Sequence, residues 1–193
     1  MSNSNVQSNA TAVITPSPLL LAEFSRCKNN PDLAINNYFN CEKDPNKSDK
    51  VIYILNHSLV EFFESQFNYD CISVFCLYKL IFFNDVNFCY FCKNENKASS
   101  FRRLLSKSYI ESKLKLKPLL LISTQEKFMF FNHSQLRFTN NIKQFCGLRF
   151  TCIIIDDCTQ ELYTEILPEI SSRLEVFRKL GCENKIIKVN RLS

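Results

Sequence analysis

Apolar and polar positions alternate along the 193-residue chain between short aromatic or β-branched runs and longer stretches with helical spacing. Residues 19–28 (LLLAEFSRCK) repeat apolar side chains at the spacing of one helix face, and Pro31 suits the first turn of a second short helix at 32–39. Residues 41–50 (CEKDPNKSDK) are polar and carry Pro45, which predicts a connector outside the core. Residues 58–63 (SLVEFF) have the composition of a strand, whereas 71–83 (CISVFCLYKLIFF) are apolar on almost every side and long enough for a buried helix. A second buried strand is expected at 87–92 (NFCYFC), and 97–105 (KASSFRRLL) continues as an amphipathic helix with an exposed Arg pair.

Further along, 119–123 and 127–131 read as strands, with Asn132–His133 as a hairpin turn into a strand at 135–138. Residues 150–155 (FTCIII) predict a buried strand ending in two acids, 160–177 a helix that tolerates Pro168 near a bend, and 185–189 (KIIKV) a last strand. Strands alternating with helices imply an α/β fold, a mostly parallel sheet covered on both faces, preceded by two short N-terminal helices. Residues 1–18, whose beginning is rich in Ser and Asn, are expected to be a disordered tail, and 19–193 one domain.

Composition narrows the class. At 46% hydrophobic and 22% charged residues the chain suits one soluble core, and its most apolar stretches, such as 119–122, fall far short of the ~20 residues that cross a bilayer. The first twelve residues lack a basic segment followed by an apolar one, so no targeting signal is read there. Ten irregularly spaced cysteines then point to a reducing intracellular compartment rather than a disulfide scaffold. A net charge of +5 favours a polyanion partner mildly, and two glycines in the whole chain exclude a glycine-rich phosphate loop.

The sharpest chemical signal is 152–157 (CIIIDD), a hydrophobic strand delivering adjacent carboxylates at its carboxyl end, where open α/β sheets place their ligands. It resembles a Walker B strand, in which Asp156 would hold Mg²⁺ and Asp157 would orient the water that attacks a γ-phosphate. The plainer alternative is two acids ending a strand in solvent. Cys89 and Cys92 have zinc-knuckle spacing, but the other close pair, Cys71 and Cys76, falls on the expected helix, so buried thiols are the better expectation. His57 and His133, the only histidines, lack the neighbours of a nucleophilic triad. Arg102, Arg103 and Lys107, continuing to Lys113, Lys115 and Lys117, form a basic run that is either a solvated helix face or a phosphate-contacting one. The 18 Phe and 7 Tyr concentrate in the apolar strands and the 71–83 helix, as core rather than base-stacking platforms.

Taken in order, five segments resemble the N-terminal ATPase domain of the large terminase subunit, the DNA-packaging motor of tailed phages and related viruses. Residues 21–39 resemble the family opening through Glu23, Cys27, Pro31, Asn37 and Tyr38. Residues 80–100 (LIFFNDVNFCYFCKNENKASS) resemble its helix end, Phe-Asn-Asp turn, second strand and Asn-Lys-Ala-Ser segment; 132–140 resemble its hairpin. Residues 147–150 running into IIIDD resemble the lead into Walker B, and 185–189 the following core strand. The resemblance implies a three-layer P-loop NTPase-like domain, ATP and Mg²⁺ as cofactors, and viral DNA or other packaging proteins as partners in virion assembly.

The departures fall on the nucleotide site. Counting back from Asn84, the family's phosphate loop lands on residues 65–70, where only Gln66 is retained. Asn68 stands for the Gly, Tyr69 for the Lys that pairs with the β- and γ-phosphates, and Asp70 for the hydroxyl on Mg²⁺. No Gln occurs from 45 to 65 to serve as the adenine-side residue, Asp157 is one methylene shorter than the catalytic Glu, Cys146 replaces the Arg before Gly147, and no nuclease-domain sequence follows. The expectation is a terminase-like ATPase domain with a degenerate, non-catalytic nucleotide site, with neither ATP nor Mg²⁺ bound. The competing expectation is a non-enzymatic α/β interaction or nucleic-acid-binding module.

Overall fold

The structure is a computed structural model and describes residues 16–39, 41, 45–63, 69–114, 119–141, 149–179 and 184–190. Two short helices open it. Helix α1 (Pro18–Asn29) starts on Ser17, whose hydroxyl accepts from the Leu20 N–H, and α2 (Pro31–Phe39) starts on a proline. A third helix, α3 (Pro45–Asn56), occupies much of the stretch expected as a connector. Pro45 is its first residue rather than a breaker, and the helix buries Val51 and Ile54 while Lys47 and Lys50 stay partly exposed.

The remaining elements are β1 (Leu59–Phe63), α4 (Tyr69–Phe82), β2 (Asn87–Phe91), α5 (Glu95–Glu111), β3 (Leu120–Ser123), β4 (Lys127–Phe130), β5 (Gln135–Thr139), β6 (Cys152–Cys158), α6 (Gln160–Lys179) and β7 (Lys185–Asn190). They match the apolar runs read from the sequence, although α5 extends to both sides of 97–105, and α6 runs through Pro168 as expected. The seven strands form one sheet in the order β1-β7-β6-β2-β5-β4-β3. The five from β1 to β5 in that order are parallel, and β4 and β3 add an antiparallel margin. The fold is therefore α/β with a mostly parallel sheet, and apolar side chains on both faces are covered.

On one face, α4 is buried along nearly its whole length, with Phe75 stacked on Phe88 of β2 at 5.6 Å. On the other, Ile153, Ile155 and Ile186 pack with Leu162, Ile166 and Ile170 of α6. The Asn132–His133 turn does more than join β4 to β5. Buried Asn132 donates from Nδ2 to the carbonyls of Leu80, Ile81 and Phe83, closing the end of α4, while His133 takes a positive φ of 63°. At the opposite edge, buried Lys185 of β7 donates from Nζ to the Ile54, Leu55 and His57 carbonyls, capping α3 with a cation. Glu23 and Tyr38, both part of the family-like opening, hold α1 to α2 through a Tyr38 hydroxyl bond to the Glu23 carboxylate. Residues 1–15, where most of the tail was expected, lie outside the described residues.

Candidate functional site around Asp156

Parallel pairing aligns β1, β7, β6 and β2 with their carboxyl ends on one side of the sheet. That side receives both expected acids. Strand β6 does not stop before them, however; it continues through Asp156 and Asp157 to Cys158. One residue more on β6 than on β7 between the Ile155–Lys188 and Cys158–Asn190 pairs makes a β-bulge, and Asp157 takes φ 60° there. Asp is among the residues that tolerate this left-handed conformation, and the bulge aims the two neighbouring carboxylates at different surroundings.

Asp156 is fully buried. Its Oδ1 accepts the Tyr69 hydroxyl at 3.0 Å and the Asp157 N–H at 2.8 Å, and its Oδ2 accepts the Tyr90 hydroxyl. An ionised carboxylate out of water needs such donors, since without them burial is prohibitive. Tyr90 is itself held by Phe101 of α5, ring on ring at 4.3 Å and 5° between planes, with Tyr69 6.2 Å from the same Phe101. Burial first, and then the Asp156 carboxylate, push the Tyr90 phenol far above its ordinary value, so it stays a donor at all physiological pH.

Asp157 faces Lys97 of α5 instead, with Nζ 3.4 Å from Oδ1 and both side chains mostly covered. Asn94 fixes the start of α5 by accepting from the Asn96 and Lys97 N–H groups, which places Lys97 within reach. Asp70 lies in the first turn of α4, a position the helix dipole favours for an acid, with Lys47 of α3 4.0 Å away.

The structure thus brings together Tyr69, Asp156 and Asp157, sets Asp70 beside Tyr69 in sequence but toward Lys47, and leaves Gln66 and Asn68 outside the described residues. Tyr90, Phe101 and Lys97 complete the cluster without having been singled out. Lys97 carried a signal, the Asn-Lys-Ala-Ser resemblance; Tyr90 carried none, because an aromatic in NFCYF reads simply as core. Cys89 and Cys92 are buried thiols, with burial holding Cys89 well above its ordinary pKa, and Cys71 and Cys76 are buried on α4. Among the described residues no three His, Cys, Asp or Glu side chains are grouped to hold a metal ion. His57 rests against Tyr53 after α3, far in sequence from the acids.

The mixed α/β fold with its mostly parallel sheet superposes on several solved structures. An arginine-to-alanine variant of the Thermus phage P74-26 large terminase ATPase domain superposes with a TM-score of 0.53 and 11% identity, covering 73% of this chain and 63% of that one. The HK97 bacteriophage large terminase superposes with a TM-score of 0.55 and 13% identity, covering 77% of this chain and 33% of that one. The fold is that of the large-terminase ATPase domain. A large terminase from a thermophilic bacteriophage, solved in complex with ADP, aligns at a TM-score of 0.45 and 11% identity over 74% of this chain and 38% of that one. No family model matches the chain, and no curated protein matches it in sequence. The chain spans under two thirds of the terminase ATPase domain and about a third of the HK97 terminase, so its likeness to them is a likeness of fold. Among the described residues, no helix of this terminase-like fold is long and apolar enough to cross a membrane.

Proposed function

We propose that the chain is a terminase-like ATPase domain associated with viral DNA packaging whose nucleotide site no longer performs catalysis. The observation that carries this reading is the Tyr69 hydroxyl on Asp156 Oδ1. In the resemblance, Tyr69 stands for the phosphate-binding Lys and Asp156 for the Mg²⁺ ligand; here the two bond to each other. A tyrosine hydroxyl brings no positive charge to a triphosphate, and an Asp156 oxygen engaged by two donors is poorly placed to coordinate a cation. Lys97 neutralises Asp157, the position proposed to orient the attacking water, and a carboxylate held by an ammonium is a weak base for that task. The donor set therefore does not fit Mg²⁺-ATP.

On this reading the protein works inside an infected cell, as an ATPase-like domain within the packaging or assembly apparatus, through binding. Phosphate release from ATP and Mg²⁺ by the purified chain provides the test. Turnover no greater than that of an Asp156→Ala variant is expected. Mg²⁺-dependent turnover that this substitution abolishes overturns the reading.

The alternative, a non-enzymatic nucleic-acid-binding module, is favoured by one observation. Among the described residues, Lys47 pairs with Asp70, Lys93 with Glu165, Lys97 with Asp157, Lys107 with Glu111 and Lys188 with Glu61, whereas Arg102 and Arg137 form no ion pair.

A further inference from the structure

The sheet ends at β1 on one side and at β3 on the other, and the two edges differ. Strand β3 is four residues long, and its register with β4 shifts between Leu120 and Ile122. Short strands and bulges of this kind keep an edge from pairing with another chain. Strand β1 has no such guard: its five residues pair with β7 in unbroken register from Leu59–Ile186 to Phe63–Asn190, and it carries neither Lys nor Pro. Its one charge is already neutralised, since the Glu61 carboxylate accepts from Lys188 Nζ at 2.6 Å, and that ammonium lies 3.4 Å from the centre of the Tyr163 ring.

The phase of the ladder decides which backbone groups point outward. The Ile186 N–H donates to the Ser58 carbonyl at 2.8 Å, so in this parallel pair Val60 and Phe62 bond to β7, while the N–H and C=O groups of Leu59, Glu61 and Phe63 turn away from the sheet. Among the described residues no strand pairs with that side. The side chains alternate too: Val60 and Phe62 pack into the core, whereas Leu59 and Phe63, 48% and 46% exposed, flank Glu61 on the opposite face.

These five residues are complementary to themselves. Set antiparallel to a second copy about a two-fold axis at Glu61, Leu59 falls opposite the other copy's Phe63, and Val60 opposite its Phe62. The outward-turned residues then meet one another, and each of their N–H and C=O groups finds a partner, as in the hydrogen-bonded pairs of an antiparallel ladder. Apolar and aromatic residues directly opposite each other favour this register. Two Glu61 carboxylates meet on the axis, which bare charges would oppose, but each brings its own Lys188, and the four charges cancel.

We propose that β1 is a dimerisation edge, at which two copies of the chain join β1 to β1 about Glu61 and continue their seven-stranded sheets as one. The inference goes beyond the nucleotide-site reading and does not rest on it, because the Tyr69–Asp156–Tyr90 cluster uses no residue of β1. A strand of a different protein is the other occupant that suits such an edge; the self-matching order of Leu59, Glu61 and Phe63 and the neutral charge cluster favour a second copy.

The test uses the full chain under reducing conditions and sedimentation velocity from micromolar to submillimolar concentration. A reversible monomer–dimer equilibrium is expected. Leu59→Pro removes only an outward N–H, leaves the bonds to β7 in place and should weaken dimerisation about tenfold or more. Leu59→Lys combined with Phe63→Lys, which charges each edge, should do the same, whereas Leu121→Lys on β3 should change nothing. Cysteine cross-linking reads the register. After mild oxidation a variant combining Leu59→Cys and Phe63→Cys should trap a covalent dimer, because opposed residues of a ladder are spaced for a disulfide, while either single variant should give no more than the parent. Melting followed by circular dichroism separates loss of pairing from loss of fold, and the cysteine variants decide the matter should a Pro or Lys variant unfold. A monomer throughout the range overturns the proposal and leaves the edge to a strand of another protein. So does a dimer that folded Leu59→Pro and double Lys variants leave intact, or single Cys variants that cross-link as readily as the double one. Because no nucleotide is present, a failure here is separate from any result at Asp156.

Discussion

Replacing Tyr90 by Phe removes one hydroxyl and nothing else from the centre of the candidate site. The ring should keep its stack on Phe101 at 4.3 Å, so no cavity opens, and the loss isolates the bond to Asp156 Oδ2. A hydrogen bond to a charged group is worth about 1.5–3 kcal/mol net, and here no water can replace the donor because Tyr90 and Asp156 are both buried. The expected cost of Tyr90→Phe is therefore near the upper end, about 3 kcal/mol, while Tyr69→Phe, whose site is half-exposed, should cost nearer to about 1.5 kcal/mol. For a chain of this length each kcal/mol lowers the melting temperature by roughly 2–4 °C, so Tyr90→Phe should melt roughly 6–12 °C early. Urea unfolding at neutral pH followed by circular dichroism measures both costs. In an Asp156→Asn background, where the acceptor is neutral, the cost of Tyr90→Phe should fall by about half. A Tyr90→Phe variant within about 0.5 kcal/mol of the parent, or a cost that the Asp156→Asn background leaves unchanged, would refute the claim that a buried carboxylate organises this site.

The cap on α3 gives a second expectation: Lys185→Met leaves the Ile54, Leu55 and His57 carbonyls short of a donor and should cost at least about 1–3 kcal/mol in the same unfolding assay. Stability should also fall as pH rises from about 8.5, because buried thiols and phenols hold their protons longer in the folded chain than in the unfolded one. Burial raises Cys71 from 9.0 to about 11, Cys152 from 9.0 to about 12 and Tyr78 from 10.0 to about 12, so each contributes fully below its unfolded pKa and loses that contribution as pH climbs toward its folded one. A urea midpoint that stays flat from about pH 8 to about pH 11 would contradict this.

The apolar runs at 71–83, 87–92 and 150–155 identified a central helix and two buried strands because a fully buried element declares itself by lacking polar positions. Helix α3 did not, since the window 41–50 ended one residue before Val51, where its buried face begins. Likewise the acids after Ile155 looked like a strand end. They remain in the strand because Tyr69 and Tyr90, 87 and 66 residues away, supply the donors that make burying Asp156 tolerable, a compensation that only the fold assembles.

Titrating the purified chain with a fluorescent ATP analogue in Mg²⁺, with unlabelled ATP as competitor, tests most directly whether Tyr69 and Asp156 have closed the nucleotide site on each other. The account predicts no saturable, competable signal. Specific binding at micromolar concentrations, weakened by Asp156→Ala, would contradict it.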